Sequence, residues 1–523
     1  MKNLWQWIVA GGTLLLFAAG CGDNDEALSR TVPPQTVWRY HAPALTEPSG
    51  PRADGSGVLP NGRLVTPTGR GATVETLPLN LRVGKSGHLF VTNDGNGTED
   101  LQRYLQVIDP RTMRVSRTPA EHFFGLAVSP NGERVYAANG PQDRVDVFAF
   151  DGTTLNRVAD ASITFPAHTF PTGIAISADG ATLYAVGLLS NTFWRVDLGS
   201  GTIQQATAKI GDFPYTVVVS HDGRRAYVSS WGLNNGNPSS LVPTPLPPDN
   251  PNNQVRASVA VIDTSTSAAP SLDGYVPIAR DQEVDPASNI FGGAHPSAMA
   301  LSPDGSLLYV TATNLDLLVV IDTATNTPIA EVDLNVFDDG LQGLYPDALA
   351  VSADGARLYV ADAGINAVQV LDVDATARTF TPRGFIPTGW YPSALELSAD
   401  GRTLYVASAK GRSVAGNGGR LVDISAESMS DTAYYIGRII KGLVSAIDLA
   451  GVDLAHGTSV VRANNGFNPQ PTSATPVAAD SPVPIDFGAG PSGRSSTWST
   501  SSRRTAPTTR CWATCSAATA SRG

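Results

Sequence analysis

Cysteine is scarce, with three in 523 residues, at Cys21, Cys511 and Cys515. None of these positions fits a zinc site, and three cysteines cannot build a disulfide framework. Charge is scarce as well: 16% of residues are Asp, Glu, Lys or Arg, and the balance is −11. No basic stripe appears, which argues against a protein that grips nucleic acid by its phosphates. No apolar run reaches the roughly 20 residues that a membrane-spanning helix needs. The seven histidines show no HxxxH or HExxH spacing, and there is no GxSxG elbow, Walker loop or Rossmann fingerprint. The sequence therefore predicts neither a bound metal nor a cofactor.

Repetition is what the chain has in place of motifs. SPNGERVYAANG from Ser129 recurs as SADGATLYAVG from Ser177, SHDGRRAYVSS from Ser220, SPDGSLLYVTA from Ser302, SADGARLYVAD from Ser352 and SADGRTLYVAS from Ser398. A weaker first copy, GKSGHLFVTND, starts at Gly84. Most copies are about 45 residues apart, a period of propellers and solenoids. Each unit reads as four short strands. In one copy these are AMALS, LLYVTAT, LLVVIDT and PIAEVDL, with Asp-Gly making the first hairpin. A single four-stranded sheet cannot bury both faces, but copies stacked around an axis bury them against each other. The expected fold is all-β, a seven-bladed propeller over residues 58–466. Residues 62–67 are expected to supply the outer strand of the last blade and so close the ring.

The interval from Gly223 to Gly305 is nearly two periods but holds one further strand set, around SVAVIDT. Residues 233–256 and 279–295 are rich in Pro and Asn and read as insertions on blade four. They could carry specificity or be tolerated loops.

The first 21 residues read as an export signal: Lys2, an apolar run from Ile8 to Ala19, then FAAGC. Small residues before Cys21 resemble a bacterial lipoprotein signal, which implies acylation of Cys21 and a membrane anchor. Gly22 follows, not Asp, so the expectation is an outer-membrane or surface lipoprotein of the cell envelope. Ordinary periplasmic or secreted export is the alternative. Residues 22–57 read as a flexible tether and 467–492 as a linker. From Gly493 the composition changes to five Arg with no Lys and no acid. Two readings are a disordered tail and a frameshift; read one base out of register, its codons permit PIKYVVYIIKENRTYDQVLGDLQRGNGIE.

VLPNGRLVTPTGR from Val58, IPTGWYPSALELSADGRTLYVASAKG from Ile386, YIGRIIKGLVSAIDL from Tyr435 and VRANNGF from Val461 resemble YVTN-type propellers. Those propellers are similar in fold to seven-bladed lactonases and are found fused to alkaline-phosphatase-superfamily phosphoesterase domains. The out-of-register peptide resembles the opening of such a domain, where a KENR-like segment helps bind the catalytic metal. The resemblance implies a chain carrying the propeller of a truncated fusion, whose parent is a metal-dependent phosphoesterase.

Candidate ligand-binding residues come from the repeat. Phe170, Phe213, His295, Tyr345 and Tyr391 each precede a Pro at the start of an inner strand, and His122 holds the analogous place in the second unit. The period places these side chains in a ring at one mouth of the channel. They could bind a ligand or be wedges filling a tapered bore. Asp109, Asp263, Asp322, Asp372 and Asp448 recur at the ends of third strands, where Asp bonds its own turn; spread around a ring, they cannot converge on one ion. No catalytic acid–base pair stands out. The leading expectation is a monomeric, non-catalytic, envelope-anchored module that binds a protein or small-molecule partner. The alternatives are a lactonase-type hydrolase working at the channel mouth, or phosphoesterase activity confined to the parent protein.

Overall fold

The computed structural model describes residues 42–45, 47–94, 103–206, 208–231, 257–278, 294–337, 343–414 and 440–467. Cys21, Cys511, Cys515, the export signal, the linker and the tail lie outside these residues, as do 233–256 and 279–293 of the two insertions.

Among the described residues seven of eight antiparallel sheets are blades arranged around an axis. Blade one comprises Pro78–Val83, Leu89–Asn93, Tyr104–Asp109 and Arg114–Pro119. Blade two comprises Leu126–Val128, Arg134–Asn139, Arg144–Phe150 and a split outer edge, Leu155–Arg157 and Ile163–Thr164. Blade three runs Pro171–Ile176, Thr182–Gly187, Thr192–Asp197, Ile203–Gln205; blade four runs Pro214–Val219, Arg225–Ser230, Ser258–Asp263, Ser271–Pro277. Blade five is Pro296–Leu301, Leu307–Ala312, Leu317–Asp322, Thr327–Asp333, and blade six is Pro346–Val351, Arg357–Asp362, Ala367–Asp374, Thr379–Pro387. Blade seven takes Pro392–Leu397, Thr403–Ser408 and Gly442–Asp448 from the end of the repeat, and its outer strand, Arg70–Val74, from the start of the chain.

Six first hairpins share one hydrogen-bond set. In blade five the Ser302 hydroxyl donates to Asp304, Asp304 accepts the Ser306 N–H, and the Leu307 N–H donates to Ser302 Oγ at 2.9 Å. The set repeats from Ser129, Ser177, Ser220, Ser352 and Ser398. The fourth residue must turn left-handed: Gly305 has φ 73° and Gly355 φ 71°, and only glycine takes that without strain.

Among the described residues the buried apolar side chains fall into seven clusters, one at each blade interface. The recurring aromatic of the second strand sits in them as Phe90, Tyr136, Tyr184, Tyr227, Tyr309, Tyr359 and Tyr405, each less than a tenth exposed. A large apolar side chain buried this way contributes roughly 1.5–3 kcal/mol. The cluster joining Tyr405 and Val444 of blade seven to Leu81 and Leu89 of blade one closes the ring.

Closure differs from expectation in one respect: the closing strand is Arg70–Val74, not residues 62–67. Leu64–Val65 pairs instead with Gly57–Val58, which pairs with Gly50–Pro51. That small sheet is docked. Arg63 donates to the Gly364 carbonyl at 3.1 Å, Arg412 to Gly55 at 2.9 Å, and the Ser413 hydroxyl to Val58. Residues 47–57, expected to be tether, are thus held against blades six and seven. A Cβ on Gly57 would lie 2.0 Å from the Arg412 carbonyl oxygen, so the approach requires glycine. The repeat also ends in a helix the sequence reading did not anticipate, α1 (Leu454–Asn465). Asp453 caps its N-terminus and a left-handed Gly466 its C-terminus. Its Thr458 hydroxyl accepts the Phe385 N–H, fixing α1 to the outer strand of blade six.

Candidate functional site: one mouth of the bore

The first strands of successive blades line the axis side by side. Antiparallel pairing places the start of each first strand beside the end of the second and the start of the third, as in Pro346↔Asp362↔Ala367. One end of the bore therefore carries the strand entries, and the other carries the Ser-x-Asp-Gly turns.

At the entries, Leu77, Phe170, Phe213, His295, Tyr345 and Tyr391 all have left-handed φ, between 49° and 64°, and each is followed by Pro. Bulky residues avoid this region, at a cost of roughly 1–3 kcal/mol each. In four cases a side chain from the previous blade holds the strained amide. Asp143 accepts the N–H of Phe170 at 2.8 Å, Asn191 that of Phe213 at 3.0 Å, Asp316 that of Tyr345 at 3.1 Å, and Asn366 that of Tyr391 at 3.0 Å. Each clamp is itself left-handed, as Asx residues tolerate. For His295 and Leu77 the equivalent links, 232–256 and 415–439, lie outside the described residues.

Five of the six predicted ring residues thus occupy equivalent entries. His122 does not. It is wholly buried in blade two, edge-on to Phe148 and 3.5 Å from Asp146. Burial lowers its pKa, against the pull of Asp146. Burial pushes the Asp146 carboxyl up, but His122, Arg157 and Asn139 outweigh it and hold it well below the carboxylate range. Blade two instead offers Phe124, two residues on, which stacks on Tyr215 at 4.5 Å. Tyr215 meets Trp231 at 4.6 Å, and Trp231 stacks on His295 at 4.4 Å. The Lys410 ammonium lies 4.6 Å from the Tyr391 ring centre and 5.3 Å from that of Trp390.

Acids complete the mouth. Asp347 follows Pro346 directly, at the position where other blades place Thr172, Tyr215, Ser297 and Ser393. Ser393 donates to the Pro78 carbonyl at 2.6 Å and Thr172 to that of Pro214, but Asp347 makes no hydrogen bond or ion pair among the described residues. Enclosure by protein pushes its carboxyl up to about 7. Asp94, at the end of blade one's second strand, is pushed up to about 6 by burial, against the opposing charge of Arg103. Burial first, and Asp347 next, raise the phenols of Tyr215 and Tyr391 well above their ordinary value. Burial lowers His295 to about 4, so its ring is neutral. Nearer the turn end Glu396 meets Arg82 at 3.3 Å.

The third-strand aspartates behave as turn residues: Asp109 accepts from Arg111 N–H, Asp263 from Ser265, Asp322 from Ala324 and Asp448 from Ala450. Asp372 pairs instead with Arg383 at 3.2 Å. Among the described residues no three His, Cys, Asp or Glu side chains gather as a metal site requires. Among them too, no helix is long and apolar enough to cross a membrane. Sequence reasoning missed Asp347, Asp94, Phe124, Trp231, Lys410 and the four clamps. An acid directly after the repeated Pro, where sister blades carry Ser, Thr, Tyr or Leu, was the available signal for Asp347.

The sheets and their closure define a seven-bladed, four-stranded, all-β propeller. Residues 64–240 match the family profile described as Lactonase, 7-bladed beta-propeller, which spans the closing strand and the first blades, so the propeller is lactonase-like. Among solved structures the chain is similar to Kuenenia stuttgartiensis hydrazine synthase, at 21% identity and TM-score 0.47 over 65% of this chain and 94% of that one. It is also similar to virginiamycin B lyase from Staphylococcus aureus, at 13% identity and TM-score 0.46 over 72% and 98%. A third similar structure is that of the RRP9 WD40 repeats, at 9% identity and TM-score 0.49 over 73% and 99%. No curated protein matches the sequence.

Proposed function

We propose that this protein is a non-catalytic binding module of the cell envelope, anchored through Cys21, which takes a small ligand or the tip of a partner at the aromatic mouth of its bore. One observation carries the reading. The strained entries, the run Phe124–Tyr215–Trp231–His295 and the unpaired Asp347 all meet at one end, whereas the acids of the repeated turns at the other end are bonded to their own turns. Strain of this kind, held by clamps, accumulates where geometry serves a ligand. Stacked rings add roughly 0.5–1.5 kcal/mol per contact to a ligand's aromatic face.

Trp231 and Trp390 provide the readout. Ligands that enter the mouth are expected to change tryptophan emission saturably and to raise the melting temperature by mass action. Trp231→Ala is expected to weaken binding about tenfold, the worth of one good ring contact. A wide panel of neutral, anionic and cationic compounds that leaves emission and melting unchanged would reject the reading.

A second reading is hydrolysis of a lactone. It is favoured by the lactonase-family match over residues 64–240 and by an enclosed carboxyl with a pKa pushed to about 7, suited to general-base work. Turnover of sugar lactones that vanishes in Asp347→Asn would replace the first reading with this one. The phosphoesterase connection rests on the sequence resemblance alone; hydrolysis of phosphate esters by this chain with added divalent metal would contradict a non-catalytic role.

A further inference from the structure

The mouth has a chemical bias that the binding reading leaves unspecified. Asp347 and Asp94 both face it, and neither receives a hydrogen bond from a described residue. The nearby cations are already engaged: Arg103 opposes the charge of Asp94, Arg82 bonds Glu396 and the Leu81 carbonyl, and Lys410 rests on the rings of Trp390 and Tyr391, whereas no opposing charge acts on Asp347. An anion beside Asp347 would meet a carboxylate with no opposing charge acting on it. A bare metal ion would find no three-ligand set among the described residues. A neutral sugar would hydrogen-bond Asp347 but leave its charge uncompensated. Lys410 shows what the wall accepts, since its ammonium already rests on two of the rings.

Resting on the binding reading, we propose that the ligand is an organic ammonium ion, with its charged nitrogen on Asp347 and its hydrocarbon among Tyr215, Trp231 and Tyr391. A primary amine, a polyamine or a lysine-like side chain has this chemistry. The ammonium donates to the carboxylate in a charge-assisted bond, about twice as strong as a neutral one. The rings add cation–π attraction of about 0.5–2 kcal/mol. Enclosure in the bore keeps both from being screened as they would be in open water.

The groups facing Asp347 set its pH response. Tyr215 of blade four and Tyr391 at the entry to blade seven interact with it directly; behind them, Asp94 of blade one acts on Tyr215, Arg103 on Asp94, Tyr345 and Lys410 on Tyr391, and His295 is joined to Tyr215 through Trp231. Burial keeps the Tyr215 and Tyr391 phenols and the His295 ring neutral between pH 6 and 8, while the two carboxyls change charge there. Ammonium binding is therefore expected to strengthen from pH 6 to pH 8 as they ionise.

The test compares benzylammonium with benzyl alcohol, which have the same ring and differ in the charged nitrogen. Tryptophan emission is read at fixed ionic strength on the full chain. At pH 8 benzylammonium is expected to bind about tenfold tighter than the alcohol. The advantage should shrink at pH 6 and disappear in Asp347→Asn. If that variant does not fold, the pH dependence of the wild-type preference decides alone. Equal binding of the two compounds, a preference indifferent to pH, or one that survives in folded Asp347→Asn overturns the ammonium assignment while leaving the binding reading intact. No response to either compound, with none across the wider panel, removes both.

Discussion

At one end of the bore the aspartates of Ser-x-Asp-Gly turns accept from their own serine and their own backbone. At the other end Asp316 and Asn366 spend their oxygens on the next blade, and Asp347 spends its oxygens on nothing described. The two ends derive from one repeat. A repeat therefore keeps its geometry where each unit satisfies itself, and is free to diverge where units lean on their neighbours. The longest internal stretches outside the described residues, 232–256 and 415–439, also connect strands whose described ends lie at the mouth rather than at the turns.

The largest effect that would sharpen this contrast is expected at a clamp. Asp316→Ala strips an acceptor from two amides, those of Tyr345 and Gly343, at a site 5% exposed. A cost of about 3 kcal/mol in urea unfolding is expected, with weakened ligand binding, because Tyr345 and Asp347 lose their mooring. A loss under 1 kcal/mol would mean the strained entries do not depend on their clamps. Next comes Gly355→Val at the opposite end. Its φ of 71° should cost roughly 1–3 kcal/mol and leave binding untouched. If binding fell with it, the ends would not be independent.

A smaller and more diagnostic contrast lies in pH. Asp347 and Asp94 have folded pKa values raised above the unfolded one, so they favour the fold below about pH 4 and cease to as pH rises through about 6 and 7. Asp179, Asp222, Asp304, Asp354 and Asp400 are held low, first by their serine hydroxyls. Their contribution is present above about pH 4 and fades as pH falls below it. His295, lowered to about 4, also disfavours the fold as pH falls below 6.5. Differences between variants isolate each group. The stability of wild type relative to Asp347→Asn should rise from pH 8 to pH 5, whereas relative to Asp304→Asn it should fall only below pH 4. Parallel curves would erase the distinction between the ends.

The turn end was legible in the sequence and the mouth only partly so, for physical reasons. Ser302, Asp304 and Gly305 act within one hairpin, so their order along the chain is their structure. Asp316 acts on Tyr345, 29 residues away, and in sequence looks like any loop aspartate. Aromatic-Pro pairs betrayed the entries at Phe170, Phe213, His295, Tyr345 and Tyr391, but His122 lacks the Pro and turns into its own blade. The need for a closing strand followed from seven units, yet its position did not. Leu64–Val65 looks the better strand, whereas Arg70–Val74 alternates exposed and buried residues as an outer strand should.

The central claim is that the mouth holds an enclosed carboxyl left unpaired by its own protein. The direct measurement is the pH titration of the Asp347 side-chain carboxyl by carbon-13 NMR, assigned by comparison with Asp347→Asn. A midpoint near 7 that moves down when benzylammonium is added is the predicted result. A midpoint near 4, unmoved by the amine, would contradict it.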